Sequence, residues 1–231
     1  MAEDRGALMA AEIAEQPEAL ARLLVPEALD PVREIVGTIR ERSPRFVLLA
    51  ARGTSDHAAL YAKYLVEVSL GLPAGLASPS TMTAYGARPN LSDVLLLTVS
   101  QSGGSPDLVE TVRTARAGGA TTLAVTNNPG SAIAAASELH LDVLAGPERA
   151  VAATKSYSSQ LLALWLLIDA YRGGDMSAAQ GIPEAAQSLV ERGEEVEALA
   201  ARYRFTDRLV TTGRGYSYPT AREAALKLME T

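Results

Sequence analysis

The 231-residue chain has no cysteine, only two histidines, and 5% aromatic residues. Without cysteine there is neither a disulfide framework nor a thiolate nucleophile, which fits a reducing compartment. Two imidazoles and no thiols are a poor ligand set for zinc, so no metal or other cofactor is expected. Long apolar runs are missing too. The longest, Leu161 to Ile168, falls far short of the roughly 20 residues a spanning helix needs. The opening Met-Ala-Glu-Asp-Arg-Gly is acidic with no apolar stretch behind it, so it does not read as a signal peptide. No membrane partner is expected, and the expected location is cytoplasmic. Basic clusters are also lacking, and the net charge of −6 argues against nucleic acid as a partner. No Gly-x-Gly-x-x-Gly follows the first strand and no Walker lysine motif occurs, which disfavours dinucleotides and nucleoside triphosphates. A serine-hydrolase elbow is absent as well.

What is present describes an α/β protein. Apolar residues make up 48% and charged residues 21%, an ordinary soluble balance. The length suffices for one large domain or two small ones. The N-terminal region, 1–43, reads as helices. Ala7 to Leu24 has a period near 3.6 with a break expected at Glu15-Gln16-Pro17, and a second helix is expected after Pro31 up to Arg42. These read as packing elements. Strands are then expected at Phe46–Ala51, Ala74–Ala77, Val94–Val99, Thr121–Thr126 and Leu139–Val143. Helices are expected between them, ending at Leu70, at Pro106–Ala117, and briefly after Ser131, with a long one from Lys155 to Tyr171. The alternation predicts a three-layer αβα sandwich on a five-stranded parallel sheet, flavodoxin-like, over residues 44–180.

A connecting helix is expected over 181–204. Beyond it, Arg208-Leu-Val-Thr-Thr212, Gly213-Arg-Gly-Tyr-Ser217 and a helix from Pro219 repeat the pattern of Leu48-Leu-Ala-Ala-Arg-Gly-Thr-Ser55. Residues 205–231 therefore read as the start of a second similar domain. One strand and one helix cannot bury a core alone, so the sequence reads as truncated within that domain, the alternative being a tail that docks on another sheet.

Chemistry is expected at the carboxyl edge of the sheet, where open α/β sheets bind ligands. The stretch Val94-Leu-Leu-Leu-Thr-Val-Ser-Gln-Ser-Gly-Gly-Ser-Pro-Asp107 is an apolar strand running into hydroxyls and glycines. Ser105 is placed to cap a helix whose first residue is Pro106, and Asp107 suits its positive end. Free amides there, with Ser100, Ser102 and Ser105, can hold a phosphate; an ordinary serine-rich turn is the alternative. Gly53-Thr54-Ser55 and Val151 to Lys155 are expected at the same edge. Arg52 and Lys155 can add charge or be plain surface cations. Glu223, Lys227 and Glu230 share one face of the last helix, either as a solvated salt-bridged face or as a carboxylate base held near a cation. His57 is near enough to the first loop to approach the site, whereas His140 reads as structural.

Together these motifs resemble a known family. Gly53-Thr-Ser-Asp-His57, Ser100-Gln-Ser-Gly-Gly-Ser-Pro106, Ala150-Val-Ala-Ala-Thr-Lys-Ser156, and Gly213-Arg-Gly-Tyr-Ser-Tyr-Pro219 with Glu223-Ala-Ala-Leu-Lys227 resemble SIS (sugar isomerase) domains. They are similar to the isomerase half of glucosamine-6-phosphate synthase and, more closely, to stand-alone SIS-type glucosamine-6-phosphate deaminases. The resemblance implies a sugar 6-phosphate ligand, its phosphate held by Ser55, Ser100, Gln101, Ser102 and Ser105, with Thr54 in the same loop as Ser55. It places the backbone of Val151 and Ala152 against the sugar. It makes Glu230 the carboxylate that shuttles a proton between C1 and C2, with Lys227 beside it and Glu223 in the site. The family's ring-opening histidine and C-terminal lysine lie beyond Thr231. The implied activity converts glucosamine 6-phosphate to fructose 6-phosphate and ammonia, in a homodimer. The alternatives are an isomerizing glutamine–fructose-6-phosphate aminotransferase-like protein lacking the glutaminase domain, whose nucleophilic cysteine has no counterpart here, and a non-catalytic sugar-phosphate-binding protein.

Overall fold

All five expected strands form in the computed structural model, which describes residues 6–231. They are β1 (Phe46–Ala50), β2 (Ala74–Leu76), β3 (Val94–Ser100), β4 (Thr121–Thr126) and β5 (Leu139–Asp142). They lie in the order β2-β1-β3-β4-β5, and each neighbouring pair is parallel. A parallel sheet is covered on both faces, so its central strands must be apolar throughout rather than alternating. Accordingly every residue of β4 is buried, as is every residue of β3 after Val94.

Alternate side chains feed two cores. Leu95, Leu97, Val99, Leu123 and Val125 pack with Val32 and Ile39 of helix α3 (Pro26–Arg42), Ala58 and Ala62 of α4 (Thr54–Leu65), and Leu164 and Leu166 of α8 (Lys155–Tyr171). Leu96 and Ala124 face the opposite way, onto Leu108 and Val112 of α6 (Pro106–Ala117) and Ile133 of α7 (Ala132–Ala136). This is the expected three-layer αβα sandwich. Each fully buried leucine contributes about 1.5–3 kcal/mol. Short α5 (Pro79–Thr83) follows β2 and lies beside α6.

The N-terminal region breaks at Glu15, as expected, between α1 (Ala7–Ala14) and α2 (Gln16–Arg22). The next helix differs from expectation: α3 begins at Pro26 and carries Pro31 in its interior. An internal proline removes one backbone bond. Here Leu29, Val32, Ile35, Val36 and Ile39 form a buried stripe that offsets the loss. Between residues 181 and 204 the expected single helix is two, α9 (Ile182–Val190) and α10 (Gly193–Ala200). Gly193 is a weak helix former, and neither helix buries a residue to keep the pair continuous. Arg208–Thr212 forms no strand, and Val210 is 92% exposed. Strand geometry needs a partner ladder, and among the described residues this segment has none. The chain ends in α11 (Ser217–Glu230), whose start precedes the expected Pro219 by two residues. No described helix is long and apolar enough to cross a membrane.

Candidate active site

The strand order reverses between β1 and β3, so the crevice of this sheet opens at their carboxyl ends. Both following loops are fastened. Arg52, after β1, donates from Nε to the Asp107 carboxylate in the first turn of α6 at 2.7 Å. This pair spans the crevice, and with Arg52 half exposed it contributes little to stability. After β3, the buried Ser100 hydroxyl accepts the Gly103 N–H at 3.1 Å, and the Ser102 hydroxyl accepts the Gly104 N–H at 3.4 Å. Gly103 has φ +65°, and a Cβ there would lie 2.2 Å from the Ser131 hydroxyl oxygen. Only glycine lets the turn sit this close to the start of α7.

Ser105 occupies the N-cap position of α6, followed by Pro106, as expected. Its side chain, however, accepts no bond from the first turn, which corrects the capping role. With φ −65° and ψ 116° its backbone is extended, and the hydroxyl is left unused by the helix. Of the expected phosphate set, Ser55 is buried and accepts a bond from Gln160 Nε2 at 3.0 Å. Ser102 is exposed, and Gln101 and Ser105 are partly exposed.

The last helix is pinned over the first loop by one carboxylate. Pro219 and Glu223 are its only buried residues. Glu223 accepts a bond from the Thr54 hydroxyl at 3.0 Å, lies 2.6 Å from His57 Nδ1, and is 3.4 Å from Lys227 Nζ. Burial pushes the Glu223 carboxyl up. The His57 and Thr54 hydrogen bonds and the Lys227 charge outweigh it and hold the group below the ordinary carboxylate range. Lys227 also donates to Glu230, one turn on. Burial, then the charge of Glu223, raises the Tyr157 hydroxyl well above its usual value, and that hydroxyl has no partner among the described residues.

Glu230 opens onto a cavity of ≈ 470 Å³ lined also by Arg149, Ala150, Val151 and Ala152. The structure thus links Thr54, Glu223, Lys227 and Glu230 in turn, and Glu230 shares its cavity with Val151 and Ala152. The two glutamates are seven positions apart on the helix, a rise of about 10 Å. Ser100, Gln101, Ser102 and Ser105 stand at the end of β3, and no hydrogen bond links them to Glu230 among the described residues. His57 is drawn into the Glu223 cluster and lines a second cavity of ≈ 460 Å³ with Arg52 and Arg222. His140 is bonded at Nε2 to Thr126 at 2.8 Å, and burial lowers its pKa. Neither Arg52 nor Lys155 is a free cation. Lys155 is 1% exposed and donates to Glu15.

The sequence reading missed the carboxylates around residues 144–156. Buried Glu12 accepts the N–H groups of Arg149 and Ala150, and Glu148 accepts those of Thr154 and Ser156. The α1–α2 region is therefore part of the site's support and not packing alone. A glutamate on an otherwise apolar helix face was the one available signal.

The fold has counterparts among known proteins. The SIS domain family model matches residues 42–170. Glutamine–fructose-6-phosphate aminotransferase (isomerizing) of Methanothermobacter thermautotrophicus is 36% identical over 224 residues, covering 96% of this chain. The chain spans 37% of that relative's length. A structure from Silicibacter pomeroyi assigned as a phosphosugar isomerase superposes with a TM-score of 0.88 at 39% identity, covering 97% of this chain and 68% of that one. Glucosamine-6-phosphate deaminase of Thermotoga maritima shares the fold, with a TM-score of 0.67 and 22% identity over 97% of this chain and 67% of its own.

Proposed function

From the premise that the chain belongs to the SIS domain family, we propose that it binds a hexose 6-phosphate at the sheet edge and moves a proton between C1 and C2. Ser100, Gln101, Ser102 and Ser105, with Ser55 across the crevice, anchor the phosphate through hydroxyls and the free amides at the start of α6, while Thr54 beside Ser55 holds Glu223. Backbone N–H groups of Val151 and Ala152 orient the open-chain sugar. Glu230 is the base and Lys227 its neighbouring cation, while Glu223 fixes the helix that carries both.

As the reaction of this site we propose an amino-sugar-phosphate deamination. With the sugar as the open-chain aldehyde, Glu230 removes the C2 proton and the aldehyde oxygen takes a proton from Lys227, giving an enolamine. The same carboxyl returns its proton to C1, and the enol hydroxyl remains at C1 as the alcohol. The C2 iminium so formed is hydrolysed by one water, releasing ammonium and fructose 6-phosphate. Lys227 regains its proton from solvent. The single observation that carries this reading is the Glu223–Lys227–Glu230 line, tied at one end to Thr54 and His57 and meeting Val151–Ala152 at the other.

A second reading is supported by the curated relatives, which are named isomerizing aminotransferases. The same proton transfer then runs towards the amino sugar. Supplying glucosamine 6-phosphate and following ammonia and fructose 6-phosphate tests the primary reading. Glu230→Gln is expected to lower turnover by about 10²–10⁴-fold, the usual worth of a positioned base, with phosphate affinity kept. Wild-type turnover in Glu230→Gln removes Glu230 from the role.

A further inference from the structure

The loop bearing Val151 and Ala152 is fastened from outside itself, and we propose that Glu12 and Glu15, at the α1–α2 junction, are positioning residues that hold its backbone against the sugar. This rests on the reading of the site given above. Val151 is 98% exposed, and the N–H groups of Val151, Ala152 and Ala153 have no acceptor among the described residues. An apolar tip with idle amides would ordinarily relax onto the protein or pair its donors. Here it is staked on both sides.

Upstream, Glu12, 5% exposed, takes the Arg149 N–H, and both its oxygens meet the Ala150 N–H, at 3.3 and 3.2 Å. Arg22 of α2 holds the carbonyls of Leu144 and Ala145 at 2.9 and 3.1 Å. Downstream, Glu148 accepts the Thr154 and Ser156 N–H groups at 2.9 and 3.1 Å. Lys155 then donates to Glu15. That last pair is informative because Lys155 is the first residue of α8. A helix start is already positive and disfavours a cation, and burial of the ammonium adds a desolvation cost. A lysine kept there at 1% exposure fixes the start of α8 to the α1–α2 junction only through Glu15.

Of these peptide units, those of Val151 and Ala152 line the ≈ 470 Å³ cavity beside Glu230, with their donors unspent. Donors fixed in advance need no ordering when the ligand arrives. The phosphate loop is fastened separately, through Ser100 and the close approach of Gly103 to Ser131. The clamp therefore acts on the hexose and not on the phosphate.

Two measurements on the protein and its Glu12→Gln and Glu15→Gln variants test this. Glu15 lies at the surface, and glutamine there keeps an oxygen acceptor for Lys155. First, amide hydrogen exchange over 149–156, without ligand, is expected to rise about tenfold in Glu12→Gln, the worth of one hydrogen bond to a charged group. It is expected to rise measurably in Glu15→Gln. Second, the affinity for fructose 6-phosphate is expected to fall about tenfold in Glu12→Gln, while that for inorganic phosphate stays within about twofold. Unchanged exchange in both variants, or equal loss of both ligands, overturns the clamp. Wild-type protein that binds fructose 6-phosphate no better than phosphate overturns the site reading instead, and the exchange result still decides the clamp.

Discussion

Replacing Glu223 should release the last helix while leaving the sheet intact. Neither apolar core contains a residue of α11, and Pro219 and Glu223 are the only side chains that α11 buries. Docking of the helix therefore rests on the Glu223 carboxylate and its partners Thr54, His57 and Lys227. A hydrogen bond to a charged group contributes about 1.5–3 kcal/mol, and removing one member of a buried charged cluster costs about 3–5 kcal/mol. Lys227 is partly exposed, so the lower half of that range applies to Glu223→Ala. About 3 kcal/mol corresponds to a rise of roughly a hundredfold in local opening. The assay is hydrogen exchange read by peptide, with residues 217–230 against 94–100. Exchange is expected to accelerate in the first and stay fixed in the second.

Acid gives an independent arm. The folded Glu223 pKa lies below the ordinary 4.5, so its contribution is fully present above about that value and is lost as pH falls through the folded pKa. In wild-type protein, protection of 217–230 should therefore decay below pH 4.5. In Glu223→Gln it should be low at neutral pH and much less acid-dependent. Wild-type protection of 217–230 in Glu223→Ala would refute the pinning of α11 by this carboxylate.

Two further outcomes follow from the same packing. Lys155→Ala removes a side chain 1% exposed and should cost about 2–5 kcal/mol through the cavity left behind. Lys155→Met fills the space without the buried charge and should stay within about 1.5 kcal/mol of wild type, both read by chemical denaturation. Gly103→Ala should cost about 1–2 kcal/mol for its positive φ alone, with more from the clash on Ser131. Because the turn carries Ser102 and Ser105, it should also weaken inorganic phosphate binding, as followed by NMR titration.

The sheet is legible in the sequence because a doubly covered strand leaves an unmistakable run. Val94–Val99 and Thr121–Thr126 carry no charged residue, and the glycine, proline and hydroxyl clusters between them mark where the strands end. The helix of α3 is less legible: local chemistry stops a helix at Pro31, but the apolar stripe from Leu29 to Ile39 overrides it. Arg208–Thr212 has the composition of a strand, yet composition supplies no partner for its backbone. In the candidate site, the spacing of Glu223, Lys227 and Glu230 discloses a shared face, and the structure ties that face to Thr54 and His57. Ser105 is correctly placed at a helix start, but whether its hydroxyl turns onto the helix is a rotamer choice that sequence does not record. For Lys155 the sequence leaves a site charge and a surface cation open, because its partner, Glu15, lies 140 residues away. Glu12 is hidden for the same reason, since no local period links it to Arg149 and Ala150.

Calorimetric titration with fructose 6-phosphate and with unphosphorylated fructose bears most directly on the phosphate-anchored sugar site. Two charge-assisted bonds from the Ser100–Ser105 turn would separate the two ligands by roughly a hundredfold or more. Fructose 6-phosphate is therefore expected to bind with that margin over fructose, and Ser102→Ala with Ser105→Ala should erase most of it. Equal affinity for the two sugars would contradict a phosphate anchor at the carboxyl end of β3.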